Sequence, residues 1–376
     1  MTRTKRRVLT RRILLLLLPT VLMITAVLVL MGWRFPTRVT IDLTASRVLF
    51  AVGGSEPVRL VRSVAVRSVT VERFARVTFS PEHLELADPA RRGSNRDRPA
   101  EPAWKLVAIT PPVLIESDDE TLQPALTFES ASSDQNADPT FGPLWVRPTA
   151  RVTIEMRSLP DGNPTIQVAG QPSSAVVSLP GSFQLMASYA RASGIAGVPR
   201  ADLLMYRGRL STASPFVEVV SQPSAFVASL TLRPDTAGDL FSTSGIPVTA
   251  ASFTQQGPRG TAETALTGDA EVAYPDYPAV AAARVKATDA IVLDGLHQFR
   301  IEEISGAAEG KGLHLRMSGV ASRVTAGSPE FMRDHRLTRF DAVWRSPGLV
   351  ALFGIAVWAF GTTLGGYRLY REIRSR

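Results

Sequence analysis

Few side chains in this sequence sit at spacings where their chemistry would converge. The four histidines, His83, His297, His314 and His335, lie far apart, and none falls in an HExxH or comparable ligand pattern. With no cysteine in the chain, disulfides, thiolate metal sites and a cysteine nucleophile are excluded together. Residues 306–312, GAAEGKG, come close to a phosphate-binding loop. They are one residue short between the glycines and end in Lys-Gly where a Ser or Thr would meet magnesium, so they read as a hairpin turn. No GxSxG elbow or SxxK pair supports a serine hydrolase.

Carboxylates are the remaining candidates for acid and base work. Glu302 with Glu303, and Asp289 with Asp294, are the pairs that would serve glycoside cleavage, where two carboxyls flank the bond. Adjacent glutamates on a strand point to opposite faces, which argues against their cooperation. Glu116, Asp118, Asp119 and Glu120 would attract calcium but lack the fixed ligand spacing of a known loop, and a solvated acidic turn explains them. No catalytic residue, metal ligand or cofactor site is therefore assigned. For ligand contact the better candidate is the rigid loop YPDYP, which displays Tyr274 and Tyr277, while Trp104 and Trp145 are expected to pack in the core.

The elements that must position these residues read as strands. In RVTIDLT, residues 38–44, Val39, Ile41 and Leu43 alternate with polar neighbours, as on a half-buried strand. Similar runs recur at 48–52, 77–86, 106–115, 151–156, 216–220, 225–232, 283–293, 299–304 and 312–324, with Pro, Gly, Ser and Asp clusters between them. In 61–71 the valines at 61, 64, 66, 69 and 71 are spaced 3, 2, 3, 2, which suits a bulged strand, or short strands meeting at corners. Residues 164–179 and 215–230 align without gaps and share eight of sixteen residues, including Gln171/Gln222 and Pro172/Pro223. Each unit predicts strand, Gln-Pro-Ser turn, strand: a hairpin-like element used twice. The charged stretch 89–103 and the acidic, Ser-rich stretch 116–140 read as loops. The second is expected to separate a proximal β subdomain, 34–115, from a larger one, 141–328, with a juxtamembrane segment at 329–346 in which a short interfacial helix would fit.

Two uncharged runs of twenty residues, 13–32 and 347–366, flank that block. At about 1.5 Å rise per residue each covers about 30 Å, the thickness of a bilayer's hydrocarbon core. The first is longer than a signal-peptide core and ends without a small-x-small cleavage site, so it is expected to stay. Trp33 and Trp344 on one side, and Tyr367 and Tyr370 on the other, stand where aromatic rings prefer the membrane interface. Gly361 and Gly365 form a GxxxG pair that would admit a second helix, and with it a homo-oligomer.

Charge gives the orientation. The net charge is +8, yet residues 13–366 carry 32 basic and 33 acidic side chains, so the excess lies in the tails 1–12 and 367–376. A neutral body argues against nucleic acid as a partner, and basic tails favour the cytoplasmic side. The expected architecture is a mainly β, sandwich-like extracytoplasmic block, divisible into two β subdomains, between two transmembrane α-helices of the plasma (inner) membrane with both termini inside. The function expected of it is non-catalytic binding or scaffolding of another envelope component, protein or polysaccharide. Two alternatives are an accessory or regulator of a polysaccharide or transport machine, and an extracytoplasmic carbohydrate-active enzyme using Asp/Glu pairs.

Overall fold

The computed structural model describes residues 34–88, 103–117, 123–131, 138–158, 163–179, 181–196, 203–222, 226–232, 241, 245–256, 262–278, 280–306, 312–328 and 331–338. It also describes single helical, exposed positions: Thr25, Val29 and Gly32 in the first apolar run, Gly354, Trp358, Gly361 and Gly365 in the second, and Arg368, Arg371 and Glu372 in the tail. Trp33, Trp344, Tyr367, Tyr370 and most of both runs lie outside the described residues. Among those described, no helix is long and apolar enough to cross a membrane.

The described body is built of antiparallel strands. Pairing passes without a break from Ala103–Leu106 through Pro81–Asp88, Leu203–Leu210, Ser182–Ser188, Ala125–Ser130, Ser68–Glu72, Phe226–Thr231, Pro164–Gly170 and Arg151–Ser158 to Arg47–Val52. A second sheet runs Ala190–Ile195, Ile109–Ser117, Phe74–Phe79, Phe216–Ser221, Pro172–Ser178, Thr140–Val146, with Val58–Val61 and Val64–Ala65 on its far side. Alternate residues of both sheets are buried in one apolar core, where Phe79 of one meets Phe183 of the other edge to face at 6.2 Å. The sandwich is therefore what the alternation predicted: one face of each strand removed from water.

Beyond Arg47–Val52 the ladder continues through Ile246–Ser252, Ala290–Gly306 and Leu313–Ser328 to Thr37–Ala45. Only Ser46 separates that last strand from Arg47–Val52, so the pairing returns to its own starting segment and closes a barrel-like circuit. Closure leaves no free edge within the circuit. Gly319 permits it locally: at φ +152°, its absent Cβ would stand 2.4 Å from the Cα of Phe299. The near-phosphate-loop segment is the connection of this hairpin, with Gly306 paired to Leu313, as expected.

Three sequence expectations need correction, and the open choice at 61–71 is decided for short strands. The interval 116–140 does not part the ladders, because Thr37–Ala45, Arg47–Val52, Phe74–Phe79 and Pro81–Asp88 each pair with strands beyond it. It even supplies a central strand, Ala125–Ser130, whose Leu126 and Phe128 are fully buried; its acidic flanks hid that alternation. The two repeat copies are not hairpins. Each crosses between the sheets, Pro164–Gly170 to Pro172–Ser178 at Gln171 and Phe216–Ser221 to Phe226–Thr231 at Gln222, and the copies pair with each other in both sheets. Residues 61–71 are short strands in different sheets rather than one bulged strand: Val61 and Val64 pair with Thr140–Val146, whereas Val69 and Val71 pair with Ala125–Ser130. Finally, Phe331–Asp334 is a strand paired with the end of Leu313–Ser328, so no interfacial helix begins there. Its backbone groups find a sheet partner, which a helix would have to forgo.

Candidate functional site

The described chain enters and leaves the β body at one place. Arg34 and Thr338 form a β-bridge, and Arg34 Nη1 lies 3.1 Å from Asp334 Oδ1 while also donating to the Asp334 carbonyl. Arg336 closes the other side of the carboxylate, with its Nη2 2.7 Å from Oδ2 and its backbone N–H donating to Oδ1 at 3.0 Å. The same guanidinium donates through Nη1 to the Ser322 carbonyl at 2.5 Å. Burial pushes the Asp334 carboxyl upward, but the hydrogen bonds from Arg336 and the charges of Arg34 and Arg336 outweigh it and hold the group below its ordinary range. Desolvation dominates at neighbouring His335 and lowers it, favouring the neutral ring. One carboxylate between two guanidiniums, on segments 300 residues apart, fastens the ends together.

The tyrosine loop belongs to this junction. Tyr274 is 6% exposed and its hydroxyl donates to the His335 carbonyl; Tyr277 packs edge to face on Phe35 at 6.1 Å. Both rings are used for packing, so the loop does not offer a two-tyrosine platform to solvent. Trp104 and Trp145, expected in the core, are half-buried and exposed respectively. Tyr274 is thus the enclosed ring and Trp145 the exposed one, while Tyr277 and Trp104 are both half-buried.

The richest cluster of polar chemistry lies at the opposite end of the long ladder. A cleft of about 450 Å³ is lined by His83, Glu85, Ser182, Phe183, Arg207 and Arg209 among others. Strand register creates it, because Glu85 stands opposite Arg207 and His83 opposite Arg209. Glu85 accepts from Arg207 Nε at 2.5 Å and contacts His83 Nε2 at 3.1 Å. The Arg207 bond is the main cause that holds the Glu85 carboxyl low; it outweighs desolvation, the next largest effect, with smaller help from the His83 bond and the charges of Arg207 and His83. Arg207 also lies over the Trp104 ring, 4.8 Å from its centroid. Sequence spacing missed the site because its members are 122 residues apart; only the Pro81–Asp88 alternation hinted that His83 and Glu85 share a face. A second cleft, about 440 Å³, lies where the repeat corners meet and is lined by Arg73, Arg151, Thr149 and Gln171.

The remaining candidates do not gather. Glu302 is exposed and receives a bond from Ser318, Glu303 has Ser305 Oγ at 3.5 Å, and Asp294 stands opposite Arg323. His297 and His314 pair with Val320 and Ser305, well apart along their hairpin, and His314 instead meets Asp42 at 2.8 Å. Glu116 is described and exposed, but Asp118, Asp119 and Glu120 lie outside the described residues. Among the described residues no group of three His, Asp or Glu is placed to hold a metal. Gly361 and Gly365 are helical and exposed. No protein-family model matches the chain, and no curated protein matches it in sequence.

Proposed function

We propose that this chain is a double-anchored membrane protein whose β body binds or scaffolds another envelope component without catalysing a reaction on it. The observation that supports this best is the Arg34–Asp334–Arg336 junction, which brings the flanks of both apolar runs to one end of the body. If 13–32 and 347–366 span a bilayer, both tethers leave from that end, with the termini in the cytoplasm and 34–346 outside. From Arg47–Val52 the ladder then extends nine strand spacings, about 43 Å in the hydrogen-bonding direction, to Ala103–Leu106.

That far strand is the contact surface of choice. Among the described ladders it pairs on one side only, Leu106 is 64% exposed, and the Trp104–Arg207 stack and the His83–Glu85 cleft adjoin it. A free edge recruits a strand from a protein partner, and a tryptophan beside charged groups suits a polysaccharide. A general acid needs a carboxyl that is protonated near neutrality, whereas the Arg207 hydrogen bond holds the Glu85 carboxyl low, so Glu85 does not suit that role in this cleft.

The absence of cysteine makes the test direct. A single thiol at position 106 of the full chain, carrying a photoactivatable crosslinker in native membranes, is expected to give one discrete adduct, lost on Trp104→Ala. Recovery of free monomer alone from position 106 would overturn the scaffold reading.

A further inference from the structure

We propose that the hairpin formed by Leu313–Ser328 and Phe331–Asp334 rests on the lipid bilayer, with Phe331 at headgroup level and Arg333 reaching phosphate. The proposal deepens the double-anchor reading and rests on it.

Phe331 is 75% exposed, more than any other large apolar residue of the described β body, and Met332 beside it is 36% exposed. Arg333 is exposed too, and its guanidinium has no partner among the described residues. A hairpin end facing water gains nothing from an aromatic ring, and an exposed edge is ordinarily blunted with charge. At a bilayer the same residues fit: the ring enters the interfacial layer, and an arginine stem lies along apolar surface while its head stays with the phosphates.

Topology puts the hairpin on the correct side. Thr37 pairs with Ala321, and the ladder with Thr37–Ala45 stops there, but Leu313–Ser328 continues for seven more residues. Since the two strands are antiparallel, that extension lies on the side from which the chain arrives at Thr37. Phe331, opposite Ser328, is three residues of extended strand from Asp334, about 10 Å from the ion pair with Arg34. Arg34 in turn is two residues after Gly32, where the first apolar run ends. With both runs in a bilayer, lipid is the surface permanently within reach of this hairpin. A protein partner would have to share that space with two tethers.

The test uses single-cysteine versions of the full, otherwise cysteine-free chain in liposomes of phosphatidylcholine and phosphatidylglycerol. A nitroxide at Phe331→Cys is compared with one at Leu106→Cys, on the distal strand, and one at Val29→Cys, inside the first run. Collision with oxygen relative to a water-soluble nickel chelate is expected to be several-fold higher at 331 than at 106, and highest at 29. A label at 29 in lipid with 331 as aqueous as 106 would overturn the hairpin proposal and leave the anchors standing. If 29 is itself aqueous, the anchor reading fails and this proposal falls with it.

Discussion

Tyr206 has no exposed surface, and its hydroxyl meets no hydrogen-bond partner among the described residues. Burial alone pushes its pKa up, so the group is a neutral phenol with an unmet donor. An unsatisfied buried hydroxyl costs about 1–3 kcal/mol, so Tyr206→Phe is expected to raise stability by about 1 kcal/mol, seen as a higher denaturant midpoint at unchanged slope. A lower midpoint would show that the hydroxyl is engaged. The junction makes a pH prediction. His335 has a folded pKa below its unfolded value, so the unfolded state binds more protons between the two, and stability is lost as pH falls from about 6.5 through the lowered value. Asp334, also lowered, adds a second loss in more acidic solution, below the ordinary carboxylate pKa. The groups that face His335 are Asp334, Arg34 and Arg333. Thermal midpoints followed from pH 7.5 to 5.0 are expected to fall in the wild type and to flatten in His335→Gln.

At the scale of elements, the close approach of Pro81–Asp88 to Leu203–Leu210 depends on one missing side chain. A Cβ on Gly208 would stand 2.2 Å from the His83 carbonyl oxygen, inside any allowed contact. Gly208→Ala is expected to cost about 1–3 kcal/mol by forcing the strands apart, and to loosen the Glu85–Arg207 bond beside it. Gly268→Ala, whose new Cβ would meet Thr44 at an ordinary 3.7 Å, serves as the control and should move the midpoint little. Elements were also where sequence patterning was half-informative. The valine spacing 3, 2, 3, 2 in 61–71 marked breaks correctly, but spacing records only that a strand turns. It cannot show that Val64 and Val69 then join different sheets. Likewise the repeat marked two equivalent units, yet whether Gln171 and Gln222 turn within a sheet or between sheets depends on what lies opposite each half.

Across the whole molecule, strands distant in sequence share ladders, so the body should behave as one cooperative unit. A protease site introduced between residues 131 and 138 is expected, once cut, to leave two fragments that co-elute on size exclusion without denaturant. The first half's Thr37–Ala45, Arg47–Val52 and Ser68–Glu72 are held by strands of the second. Separation of the fragments would mean that the 116–140 interval is a true domain boundary after all. The same interleaving explains why the distal cleft was illegible beforehand. His83 and Glu85 are two apart in the chain, but Arg207 and Trp104 reach them only through neighbouring strands.

Alternation of apolar and polar residues determined the mainly β class unaided, because a period of two needs only local sequence to put one face of each strand in a core. Composition likewise located the charge excess in the tails and left a neutral body. Which strands pair, which face of a loop is buried, and which charges meet were settled only in three dimensions. Tyr274 rather than Trp104 is enclosed, and Arg34 finds Asp334 across 300 residues, because register is set by the packing of distant segments and leaves no periodic trace in either one.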